Sequence, residues 1–126
     1  MNVLFVCVAN SGRSVLAEQL FRRAAPEHEV RSAGSDPGAA AHPVVVEALA
    51  ELGIDAAAHV PRRIDAELIA WADLVVSTCS EEVCPATPGV RRISWAFRDP
   101  KALPLAEVRA IRDEIAAAVG ELAQAL

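Results

Sequence analysis

Cys7 and Arg13 stand with five residues between them in Cys7-Val8-Ala9-Asn10-Ser11-Gly12-Arg13-Ser14, and that spacing has a chemical use. A loop of this length can curl around a tetrahedral oxyanion, with the backbone N–H groups of Val8, Ala9, Asn10, Ser11, Gly12, Arg13 and Ser14 turned toward it. The Arg13 guanidinium adds a planar, two-pronged grip on the same anion. Such positive surroundings favour a thiolate, which makes Cys7 a candidate nucleophile. The Ser14 hydroxyl is placed to donate to that thiolate. The bare pattern equally describes a buried cysteine at a strand end, so its setting has to decide.

That setting is a strand, a tight loop and a helix. Val3 to Cys7 is an unbroken apolar run, expected as a wholly buried strand, and Ser14 to Ala25 carries Val15, Leu16 and Leu20 at helical spacing. Glu29 to Ala33 reads as a second strand, followed by the turn-rich Gly34-Ser35-Asp36-Pro37-Gly38. Pro43 suits the first turn of a helix that runs to about Leu52 and stops at Gly53. Asp65 is a candidate N-cap for a short helix ending at Trp71. Asp73 to Thr78 and Val90 to Trp95 are further strand candidates, and Leu105 to Leu126 forms a last helix with Val108, Ile111, Ile115, Val119 and Leu122 along one stripe.

Strands alternating with helices predict an α/β fold of three layers, a four-stranded parallel sheet covered on both faces. Ligands in such folds sit beyond the carboxyl ends of the strands. Cys7, Cys79 and Asp99 all fall there, after the first, third and fourth strands.

At 126 residues the chain is expected to be one domain, residues 1–126, burying roughly two-thirds of its unfolded surface. Its 53% hydrophobic and 23% charged residues are a globular composition. The net charge of −5 argues against a nucleic-acid surface. No apolar run reaches the length of a membrane span, and no secretory signal opens the chain, so a cytoplasmic location is expected. Three cysteines, Cys7, Cys79 and Cys84, are an odd count, which favours free or catalytic thiols over a static disulfide framework. His28, His42 and His59 show no ligand spacing, Trp71 and Trp95 read as core aromatics, and the cations are eleven arginines and one lysine, Lys101.

The segment "VLFVCVANSGRSVLAEQLF" resembles the opening of the low-molecular-weight protein tyrosine phosphatase family, with Asn10 at the motif's asparagine. "RSAG", "HPVVVEALAELGID", "ADLVVSTC" and "SWAFRDP" follow in the family's order, so the likeness covers nearly the whole chain. It implies that Asp99, in Asp99-Pro100, is the general acid that protonates the departing oxygen; without the likeness an Asp-Pro pair reads as a turn.

The family includes phosphatases, in which water hydrolyses a phosphocysteine, and thioredoxin-coupled arsenate reductases, in which two further cysteines carry a disulfide relay. Cys79 and Cys84, in "VVSTCSEEVCPATPG", resemble the reductases' redox segment, with a spacing shorter than is usual there. Lys101 stands where the phosphatases have a tyrosine, and the chain has no tyrosine at all. The resemblance thus implies that Cys7 attacks arsenate, that Cys79 attacks Cys7 to expel arsenite, and that Cys84 then takes over the disulfide for reduction by thioredoxin. The loop from Cys79 to about Gly89 would have to move for this relay. Phosphate would act as an inhibitor, and no bound cofactor is expected. The alternatives are a phosphomonoester hydrolase working through a phosphocysteine at Cys7, and a non-catalytic anion-binding module. The likeness also raises a structural potassium ion on Asn10, Glu18, Ser32 and Asp65, residues whose simpler roles are loop bracing and helix capping.

Overall fold

The computed structural model describes residues 1–79 and 86–126. β1 (Asn2–Cys7), β2 (Glu29–Gly34), β3 (Leu74–Ser77) and β4 (Arg92–Ser94) form one sheet in the order β2-β1-β3-β4, and every pairing is parallel. β1 therefore has a strand on each side and helices above and below. This is why Val3, Leu4, Phe5 and Val6 are all fully buried without any polar alternation.

Successive β1 side chains go to opposite faces of the sheet. Val3 and Phe5 enter the larger core with α1 (Arg13–Ala24), α2 (Pro43–Ala50) and α4 (Leu105–Ala125). Leu4 and Val6 enter a smaller core with Val75 and with Leu68 of α3 (Ala66–Trp71). The architecture is the expected α/β one: a four-stranded parallel sheet with helices on both faces.

All five residues of the α4 stripe are buried. Arg112 lies beside that stripe and is itself buried, because its guanidinium is spent on α2: it donates to Ala48 O at 2.9 Å and to Glu51 Oε1 at 2.9 Å. A buried cation is tolerated only with such partners.

Element ends differ from expectation by a few residues, each for a visible reason. α2 stops at Ala50 because its last turn tightens, with Leu52 N donating to Leu49 O at 3.0 Å and Gly53 N to Ala50 O at 2.9 Å; Gly53 then takes the left-handed φ of 78° that ends the helix. β4 is three residues rather than six, an edge strand prolonged by a single bond from Trp95 N to Ser77 O at 2.8 Å. Trp95 stacks 6.0 Å from Phe5 in the larger core. Trp71 packs on the smaller core, with the Arg31 guanidinium 4.3 Å from its ring centre.

The registry brings the reactive positions to one edge. Val6 pairs with Ser77 and Ser77 with Ser94, so the chain leaves β1, β3 and β4 at the same level. No helix among the described residues is long and apolar enough to cross a membrane.

Candidate active site

The loop after β1 has all its carbonyls turned outward and bonded. Those of Cys7, Val8, Ala9 and Ser11 accept from the amides of Ser35 (3.3 Å), Asp36 (2.9 Å), Gly38 (2.9 Å) and His42 (2.9 Å). Asn10 O accepts from His59 Nε2 at 3.0 Å, and Gly12 O from Leu16 N at 2.9 Å. A trans peptide points its N–H opposite to its C=O. Outward carbonyls therefore aim the following amides inward, toward Cys7. Asn10 shows the result: its N–H donates to Cys7 Sγ at 3.2 Å, with Asn10 itself held at a left-handed φ of 51°. The segment from Ser35 to His42 is what holds this nest of donors open.

Cys7 ends β1 at 2% exposure and carries a free thiol. Ser14 Oγ lies 2.9 Å from its sulfur, and Asn10 Nδ2 donates to the same hydroxyl at 2.8 Å. The Asn10 bond takes one lone pair of the hydroxyl and leaves its O–H able to donate to Sγ, an arrangement suited to a thiolate. α1 begins at Arg13, and its N-cap, Gly12, has no side-chain cap. A bound anion would cap the helix instead.

Asn10 is completely buried and joins loop, helix and sheet. Besides Ser14, its Nδ2 donates to Ser32 Oγ at 2.9 Å, and its Oδ1 accepts from Arg62 N at 3.0 Å. Asn10→Ala is expected to leave these groups unmatched and to remove a residue tolerant of positive φ, lowering unfolding stability by about 2 to 4 kcal/mol. Chemical denaturation of the two proteins measures this directly.

Arg13 Nη1 donates to Phe97 O at 3.2 Å, and its Nη2 stands 3.9 Å from Asp99 Oδ2. Asp99 Oδ1 accepts from Lys101 N at 3.0 Å, which leaves Oδ2 as the oxygen facing Arg13. The Asp99-Pro100 turn comes this close because residue 12 is glycine: a Cβ there would lie 2.8 Å from Pro100 Cγ and 3.3 Å from His42 Cδ2. The loop after β1, the segment 35–42 and the Asp99-Pro100 turn enclose a cleft of about 540 Å³ lined by Cys7, Arg13, Asp36, His42, Asp99 and Lys101 among others. Burial, first, pushes the His42 imidazole below its ordinary 6.5; Lys101 adds to the effect and Asp99 opposes it.

A thiol, a guanidinium, a nest of donors and a carboxyl group at one edge of a parallel sheet could together support attack on an oxyanion. Comparison with known proteins agrees with that use. Residues 2–126 match the family model described as low molecular weight phosphotyrosine protein phosphatase. The chain belongs to this family. Within it, the chain is 36% identical over 121 residues to an arsenate reductase of Staphylococcus epidermidis, covering 93% of this chain and 92% of that protein. A solved thioredoxin-dependent arsenate reductase of Corynebacterium glutamicum superposes with a TM-score of 0.80 at 34% identity, over 98% of this chain and 60% of that one. The YwlE arginine phosphatase of Geobacillus stearothermophilus gives a TM-score of 0.85 at 30% identity, over 98% and 90% of the two chains.

Of the residues singled out from the sequence, Cys7, Val8, Ala9, Ser11, Gly12, Arg13 and Asp99 line this cleft, and Asn10 and Ser14 hydrogen-bond around Cys7 at its base. Cys79 lies two residues beyond β3, 1% exposed and disulfide-bonded. Cys84 lies outside the described residues, as does most of the loop expected to move.

The potassium set is not assembled. Asn10, Ser32 and Glu18 do converge, but they satisfy one another: Ser32 Oγ donates to Glu18 Oε1 at 2.9 Å while accepting from Asn10. Asp65 is exposed, and its Oδ1 caps α3 through Leu68 N at 2.8 Å. His59 Nδ1 stands 3.8 Å from Glu18 Oε1. These side chains do not fit a potassium cage, and the reaction is not routed through one.

His42 and His59 are functional-site residues that spacing did not reveal. The only signal for His42 was its place at the start of the "HPVVVEALAELGID" block, and for His59 there was none.

Proposed function

We propose that this chain, as one domain of residues 1–126, is an arsenate reductase recycled by an external dithiol protein of the thioredoxin type. The observation that carries this reading is Cys79, a second cysteine placed just beyond β3, at the sheet edge where Cys7 ends β1. In a hydrolase it would serve only to protect Cys7 from oxidation. The named relatives support the same reading, both as arsenate reductases and, in one structure, as a thioredoxin-dependent one.

Arsenate sits on the inward amides of the loop and on Arg13. Cys7 Sγ forms a bond to arsenic, and one oxygen leaves as water with the proton from Asp99 Oδ2. Cys79, as a thiolate, then attacks Cys7 Sγ; the sulfur–arsenic bond breaks with its electron pair going to arsenic, which departs as arsenite. Cys84 attacks Cys79, frees Cys7 and leaves a Cys79–Cys84 disulfide for the reductant. Two electrons move from two thiols to one arsenic. Phosphate can occupy the same nest but accepts no such pair, so it inhibits. The expected location is the cytoplasm, where an external thiol system keeps the relay reduced.

The test is to reduce the protein fully, add arsenate without a reductant, and map disulfides by mass spectrometry. A Cys79–Cys84 bridge formed in step with stoichiometric arsenite is the expected product. Intact thiols, together with steady phosphate release from p-nitrophenyl phosphate, would point instead to a phosphomonoester hydrolase acting through a phosphocysteine at Cys7. The arginine phosphatase among the structural neighbours makes that the second reading.

A further inference from the structure

His42 meets the anion nest twice. Its backbone N–H donates to Ser11 O at 2.9 Å, which turns the Ser11–Gly12 peptide so that the Gly12 N–H faces the nest. Its ring packs on the same glycine, with Cδ2 3.3 Å from where a Gly12 Cβ would stand. On its other side the His42 carbonyl accepts from Val45 N at 2.9 Å and Val46 N at 3.1 Å as α2 begins. A main chain held at both ends fixes the imidazole in the cleft wall.

The ring itself is unspent. His42 is the N-cap of α2, yet its side chain makes no capping bond, and among the described residues neither ring nitrogen has a hydrogen-bond partner. The charged and titratable groups around it come from every neighbouring element: Asp99 and Lys101 after β4, Asp36 in the segment 35–42, Arg13 at the start of α1, and Cys7 at the end of β1. Glu47, the first charge on α2, lies beyond that helix's first turn. Burial works most strongly against a charged ring, Asp99 favours one and Lys101 disfavours it. Without a bound anion the imidazole is therefore neutral at pH 7.

An oxyanion on the Gly12 amide brings negative charge to the very peptide on which the ring packs. We propose that His42 takes up a proton from solvent as a dianionic oxyanion enters the nest, and so becomes a cationic, hydrogen-bonding wall of the anion site. The inference rests on the reading of the loop as an oxyanion nest, and not on the arsenate chemistry. Proton and anion must then raise each other's affinity by the same factor, so binding tightens as pH falls, until the free protein is itself protonated. In a partly solvated cleft that factor should be about three- to tenfold.

The experiment is an NMR titration of the reduced protein with inorganic sulfate, which stays a dianion throughout the range in which histidine titrates. Wild type and His42→Asn are compared at about pH 7.5 and about pH 5.5, asparagine being an uncharged residue that caps helices well. Titration of Cys7, Asp36 and Asp99 is common to both proteins, so the difference between them reports His42. Wild-type affinity should rise about three- to tenfold more than that of the variant on going to the lower pH. The ring nitrogen signals absent from His42→Asn should move toward imidazolium as sulfate is added at about pH 6.5. An equal pH dependence in the two proteins overturns the inference, as do ring signals that saturating sulfate leaves unmoved. Sulfate bound with those signals unmoved leaves the nest standing, whereas no sulfate binding at either pH would overturn the oxyanion reading itself.

Discussion

Replacing Cys79 by serine should reduce thioredoxin-coupled arsenate turnover to below about 1% of wild type, since the step that expels arsenite loses its nucleophile. Serine is close to cysteine in size, and the site is 1% exposed at the end of β3, where Thr78 N and Oγ1 both bind Val6 O at 2.9 Å. The fold is therefore expected to survive, which a thermal melt checks. Cys7, Arg13 and Asp99 are untouched by the change, so the first attack on the anion still proceeds and the variant stalls as a Cys7 adduct. Turnover is to be followed by NADPH oxidation in the presence of thioredoxin and its reductase, alongside p-nitrophenyl phosphate hydrolysis by the same protein. Loss of the first with retention of the second assigns Cys79 to the relay. Undiminished arsenate reduction sinks it, and would mean that Cys84 attacks Cys7 directly.

How much of this site could be read from the chain depends on the range over which each feature is encoded. Val3 to Val6 announce a two-sided buried strand because burial on both faces needs no polar alternation, and the α4 stripe announces its core face through spacing alone. Cys7 to Ser14 is likewise self-contained, since its chemistry depends on one loop's length. Asp65 shows the limit of reading residue types. Its carboxylate suited both a helix cap and a cation site, and the cap won because Leu68 N is three residues away whereas Glu18 belongs to another element.

What the sequence hides is the pairing between segments. Gly34-Ser35-Asp36-Pro37-Gly38 reads as a turn, and nothing local says that its amides meet the carbonyls of the loop after β1. His42 and His59 have no ligand spacing, yet both act on that loop, one through its amide on Ser11 O and the other through its ring on Asn10 O. The anion site is thus built by two layers of backbone, of which only the inner one has a motif.

Gly34→Ala should expose that dependence, with a loss of about 100-fold in kcat/KM and about 1 to 3 kcal/mol in stability. Gly34 ends β2 opposite Cys7, donates to Arg62 O at 2.9 Å and accepts from Ile64 N at 2.9 Å. A Cβ there would lie 2.3 Å from Val8 O and 3.0 Å from Asn10 N, both backbone atoms that no rotamer change can move aside. The loop must retreat from β2, and that retreat displaces the Val8 carbonyl, the Asn10 amide on Cys7 Sγ and the nest together. Alanine also restricts the unfolded chain, a gain of about 0.4 to 1 kcal/mol that is too small to compensate. Gly120→Ala is the control, because Gly120 lies inside α4 with nothing within 4 Å of its would-be Cβ, so there the same atom should stabilise by about 0.5 to 1 kcal/mol. Urea unfolding and steady-state kinetics on the two variants should move in opposite directions for stability, with activity lost only in Gly34→Ala; a Gly34→Ala protein as active as wild type would show that the loop is not held by this contact.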